Sequence, residues 1–77
     1  MALTKKEILK MHKVDAESRK YLARQELAEL HEERQDAIDL GDIEYLKAVC
    51  KQIREANMTI ILSNKAIKEL DAKLKKA

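Results

Sequence analysis

The sequence predicts an all-α protein, an antiparallel two-helix hairpin of coiled-coil type that is expected to dimerise into a four-helix bundle. Three observations lead there. Gly41 is the only glycine, stands near the middle of the chain in Leu40-Gly41-Asp42, and has no proline on either side of it. Leu9, Ala16, Ala23, Leu30 and Ala37 recur every seven residues before it, and Leu46, Ile53, Ile60, Ile67 and Leu74 do so after it. Folded back at Gly41, the rows pair as Ala37 with Leu46, Leu30 with Ile53, Ala23 with Ile60, Ala16 with Ile67 and Leu9 with Leu74. The residue numbers in every pair have the same sum, which is the register of an antiparallel hairpin, and small residues often face large ones, as interdigitating helices require.

Each element has its own signals. The first helix is expected over about residues 4–40, opened by a capping box of Thr4 and Glu7 with Leu3 and Ile8 at the staple positions. Gly41 can adopt the left-handed conformation that ends a helix, and Asp42 can cap the next one. The second helix then runs over about 42–75, with Lys73, Lys75 and Lys76 placed to suit its C-terminal dipole. Together they make one domain over 1–77. The second helix has an unbroken seam of Leu46, Val49, Ile53, Ala56, Ile60, Ser63, Ile67, Leu70 and Leu74. In the first helix the intermediate seam positions are Lys13, Lys20, Leu27 and Arg34, mostly polar. The half nearest the turn is therefore expected to pack better. Toward the open end the aliphatic stems of the lysines are expected to cover the seam, the alternative being that residues 10–20 await a partner.

Composition narrows the function classes. Of the 77 residues 39% are charged, 45% hydrophobic and 3% aromatic, the balance of a long helix or coiled coil. A chain this short rarely gains more than about 3–5 kcal/mol from a single core without disulfides, metals or oligomerisation. Cys50 is the only cysteine, so no intrachain disulfide is available, and association with another chain is the expected route to stability. The start of the chain lacks the apolar core of a signal peptide, and no apolar run approaches a membrane span. An unpaired cysteine fits a reducing, cytoplasmic location. Size and style fit small proteins carried by phages or plasmids.

Catalysis finds almost no footing. His12 and His31 both lack the glutamate three residues earlier that a helical di-metal carboxylate site needs. His31-Glu32-Glu33-Arg34-Gln35 begins like a zinc-protease helix but has Gln35 where the second histidine belongs. Cys50 lies beside the seam with no histidine near it in this register, and reads as a small, partly buried apolar residue. No glycine loop for phosphate is present. The chain is expected to be no enzyme, with no catalytic residue, metal or cofactor.

Association is the better-supported role. Met58, Ile61 and Leu62 are apolar residues that the seam of the second helix does not use, and Tyr21 and Leu22 of the first helix lie at the same height. These five are the expected protein interface, because an apolar belt around a rod is poorly placed in water. Charge is zoned: residues 1–24 carry seven basic and three acidic side chains, and 26–44 carry eight acidic ones against Arg34 alone. Lys47, Lys51 and Arg54 are expected opposite Asp36, Glu32 and Glu29. A homodimer with antiparallel rods sets each acidic turn beside its partner's basic termini. The expected function is a non-catalytic protein–protein interaction module, a small regulator, adaptor or chaperone-like subunit. The alternative is a nucleic-acid-binding regulator using the basic end, with Lys5, Lys6, Lys10, Lys13, Arg19, Lys20, Lys65 and Lys68 as candidate contacts. A net charge of +2 and only two tyrosines for stacking weigh against it. In outline the arrangement is similar to plasmid copy-number proteins of the Rop type, helical hairpins that dimerise and bind RNA; the similarity is architectural and transfers no residues.

Overall fold

The computed structural model describes residues 2–76 and consists of two helices, α1 (Lys5–Leu40) and α2 (Ile43–Lys76), packed against each other as a hairpin. The result is a rod of 57 × 22 × 14 Å. Thr4 is extended and its hydroxyl accepts from the Glu7 N–H at 3.2 Å, satisfying one free donor of the first turn. The Glu7 carboxylate accepts from that same hydroxyl, also at 3.2 Å, instead of completing the box on the Thr4 backbone.

The reversal is made by a Schellman motif. Gly41 has φ 67° and ψ 22°, its N–H donates to the Ile38 carbonyl, and the Asp42 N–H donates to the Ala37 carbonyl at 3.1 Å. Carbonyls that would otherwise be left without partners at the end of α1 are thereby bonded. Asp42 then caps α2, its carboxylate accepting from the Tyr45 N–H at 3.0 Å. Two residues thus end one helix and start the next. In the β-branched stretch at 59–61, the Thr59 hydroxyl donates to the Glu55 carbonyl one turn back, so its polar group is satisfied inside the helix.

Packing refines the expected seam. In α1 the buried row is Leu9, Ala16, Ala23, Leu30 and Ala37, all five of the heptad residues. In α2 the buried row is Val49, Ala56 and Ser63, whereas Leu46, Ile53, Ile60, Ile67 and Leu74 are half-buried. The small residues of α2 lie on the line of closest approach, and the larger isoleucine row is displaced to one side of it. The core cluster of Leu30, Val49 and Ala56, flanked by Leu27, Tyr45 and Ile53, occupies the half nearest the turn. Toward the open end Lys13 and Lys20 are half-buried, and Lys13 Nζ meets Asp71 Oδ1 at 2.7 Å. Stems covering the seam, with one ammonium tied across it, describe that end.

The ion pairs expected near the turn do not form. Among the described residues the salt bridges are Lys13–Asp71 and Arg19–Asp15, and none joins Lys47, Lys51 or Arg54 to Asp36, Glu32 or Glu29. An equal-sum register fixes height along the rod but not direction around it. Asp36 and Glu29 precede seam residues Ala37 and Leu30 by one, while Lys47 and Arg54 follow Leu46 and Ile53 by one. At about 100° per residue those two sets turn to opposite sides of the hairpin. Lys51 and Glu32 point outward from opposite edges.

Candidate functional site

The two broad sides of the rod are distinct surfaces. One carries a groove between the helices lined by Ala16 and Arg19 of α1 and by Thr59, Leu62, Ser63 and Ala66 of α2. The other carries a groove lined by His31, Arg34, Cys50, Ile53 and Arg54, together with the Lys13–Asp71 pair and the half-buried isoleucine row. They are called here the leucine side and the isoleucine side.

The expected belt is at one height and is exposed: Tyr21, Leu22, Met58, Ile61 and Leu62 each keep more than half of their surface open. The fold does not bring them onto one face. Leu22 and Leu62 immediately precede the buried Ala23 and Ser63, which turns them to the leucine side. Tyr21 and Ile61, one residue further back, turn toward the isoleucine side, and Met58 projects from the outer edge of α2. The Tyr21 hydroxyl accepts from the Gln25 amide at 2.9 Å, a bond along α1 that holds the ring against its own helix.

Further apolar surface was hidden by a second use of the helix period. Ile8, Met11 and Val14, spaced by three, lie exposed along the outer edge of α1 and with Leu3, Lys10, His12, Asp15 and Ser18 line an open groove. Their i, i+3 spacing was the available signal, masked because the stronger heptad row runs through the same helix. Ile38, Leu40 and Ile43 are exposed around the acidic turn.

Electrostatics separate the sides as well. The isoleucine side bears Lys6, Lys10, Lys13, Lys20, Arg24, Arg34, Lys47, Arg54, Lys68 and Lys75 against Glu7, Glu17 and Asp71, bases along its whole length. The leucine side is acidic toward the turn, with Glu26, Glu29, Glu33, Asp36 and Glu55. Lys5, Arg19, Lys73 and Lys76 stand toward its open end, with Asp15 and Glu69 among them. Tyr45 reports this field: partial desolvation, then Glu33, Asp36 and Asp42, push its phenol above the ordinary range. Across the rod, the Asp71 carboxylate raises the Lys13 ammonium by its hydrogen bond and its charge. The candidate nucleic-acid residues are therefore divided. Lys6, Lys10, Lys13, Lys20 and Lys68 share the isoleucine side, Lys5 and Arg19 lie on the leucine side, and Lys65 is on the outer edge of α2.

Cys50 is half-buried in the groove with His31 and Arg34, so the expectation of no nearby histidine fails: residues 31 and 50 each follow a buried residue by one and turn to the same side. Among the described residues no group of three or more His, Cys, Asp or Glu side chains is arranged to hold a metal ion. No helix is long and apolar enough to cross a membrane. Comparison with protein-family models, with curated proteins and with solved structures finds no match to this chain.

Proposed function

We propose that this chain is a non-catalytic protein–protein interaction module, a small regulator, adaptor or chaperone-like subunit that works as a homodimer. The observation that carries the reading is the imbalance between what the hairpin buries and what it exposes. Its buried apolar side chains are Leu9, Leu30 and Val49 with the alanines Ala16, Ala23, Ala37 and Ala56. Leu3, Ile8, Met11, Val14, Tyr21, Leu22, Ile38, Leu40, Ile43, Met58, Ile61 and Leu62 remain exposed. A core built largely of alanine supplies little burial energy, and exposed apolar surface on this scale belongs to interfaces. Leu22 and Leu62 share one side near mid-rod, which suits self-association, since a two-fold axis there sets that part of the belt against its own copy.

Sedimentation equilibrium of the full chain at micromolar concentration tests this. A dimer of the 8.9 kDa chain is expected, and a well-folded monomer would refute it. A second reading, nucleic-acid binding, draws on the isoleucine side, where bases run the length of the rod. It requires binding to mixed-sequence RNA or DNA that weakens steeply with salt, because each phosphate contact releases a counterion. Equal retention at low and moderate salt, or none at either, excludes it.

A further inference from the structure

We infer that two copies join through the leucine side, rods antiparallel, with each Leu62 set against the Thr59 end of the other's groove. This rests on the homodimer proposed above and specifies which of its surfaces is used. Size requires a side-on contact, and charge and shape select this side.

The broad side of a 57 × 22 × 14 Å rod presents about 1,250 Å² in projection, whereas an end presents about 300 Å². A stable interface needs about 800 Å² from each partner, so contact must be side-on. The isoleucine side fails on charge: its lysines and arginines run from Lys6 to Lys75, so any two-fold axis lays bases on bases.

The leucine side is self-complementary instead. An antiparallel two-fold across the rod stacks α1 on the partner's α1. The α1 row flanking the leucine groove reads Lys5, His12, Arg19, Glu26, Glu33 and Leu40, basic or titratable in its first half and acidic next. Reversed on itself about Leu22 and Ala23, it sets Arg19 against the partner's Glu26, and His12 against the partner's Glu33. Asp15 meets the partner's Glu29 in the same register, but Arg19 Nη2 already holds Asp15 Oδ2 at 2.8 Å, which offsets that repulsion. The same axis brings Leu22 near its own copy and carries the partner's Leu62 to the level of Thr59. That end of the groove is bordered by Thr59, Ser63 and the chain's own Leu62, so the two leucines interleave beside the small contact-line residues Ala23 and Ala56, as knobs-into-holes packing demands.

Neighbouring residues in one helix provide the test. Leu62 and Ile61 are exposed to similar extents, 57% and 60%, and differ mainly in the side they face. Sedimentation equilibrium of the full chain should show Leu62→Asp weakening the dimer by about 100-fold or more, as expected for a central buried contact, and Ile61→Asp by about threefold at most. Arg19→Glu and Glu26→Arg should each weaken it by about tenfold, and the double variant should recover most of that loss. The exposed charge swap keeps the question open to refutation even if Leu62→Asp unfolds the chain, which circular dichroism would reveal. A dimer that is lost with Ile61→Asp but kept with Leu62→Asp overturns the inference and leaves the homodimer standing. Failure of the double swap to recover affinity overturns it too. A monomeric wild-type chain removes both.

Discussion

At the residue scale, small side chains decide how closely the helices approach. Ala23 and Ala56 are each 5% exposed and sit on the contact line of their helices. Replacing either with leucine adds volume where none is free and should lower stability by about 1–3 kcal/mol, read from chemical denaturation. Unchanged midpoints for both would show that the interhelical contact lies elsewhere. Gly41 has the opposite character. A Cβ built there meets nothing within 4 Å, so only its φ of 67° opposes a side chain. Gly41→Ala should therefore cost about 1–2 kcal/mol, with the hairpin intact. A markedly larger loss would mean that the turn makes contacts this geometry does not contain. Both roles were legible in the sequence, because heptad spacing singled out Ala23, and a lone glycine between two long helical patterns has few other uses.

At the scale of the elements, what crosses between α1 and α2 depends on the protonation of a few half-buried groups. Lys13 is raised by Asp71, and Tyr45 is raised by desolvation, Glu33, Asp36 and Asp42. For Lys13 the folded state holds its proton more tightly than the unfolded one, so its stabilisation is complete below the unfolded lysine pKa and is lost as pH rises through the folded value. For Tyr45 the folded state resists ionisation, so folding likewise weakens once the unfolded phenol begins to ionise, near about pH 10. Both signs agree. The melting temperature followed by circular dichroism should fall above about pH 10, and the fall should be shallower in Lys13→Met with Tyr45→Phe. An identical alkaline slope in that variant would mean that neither group contributes. The Lys13–Asp71 contact was not legible beforehand: the equal-sum register put Lys13 opposite Leu70, and only the direction of each side chain brought Asp71 into reach.

At the scale of the whole molecule, the two sides of the rod have different charge and therefore different consequences for assembly. If α1 pairs with its own copy through Arg19 and Glu26, the dimer should loosen several-fold between about 50 mM and 500 mM sodium chloride, as screening shortens the reach of exposed charges. A dimer held by apolar burial alone would hold or tighten over that range, and sedimentation at the two salt levels separates the cases. The melting temperature of such a dimer should also rise with protein concentration, since association stabilises only the folded chain. Concentration-independent melting would indicate a folded monomer.

The two helices, their ends and the hairpin follow from local and periodic signals along the chain. Apolar period, capping residues and a left-handed glycine act locally or along one helix, and those effects can be read from the order of residues. Tertiary structure decided how the surface is divided. Leu22 and Tyr21 are neighbours in the chain, as are Leu62 and Ile61, yet each pair parts to opposite sides once Ala23 and Ser63 are buried. A sum of residue numbers specifies only height along a rod, whereas a binding face also needs an azimuth. That azimuth depends on which row of α2 lies against α1, and the packing selects the small residues Ala56 and Ser63 over the larger Ile53 and Ile60 because they let the helices come closer.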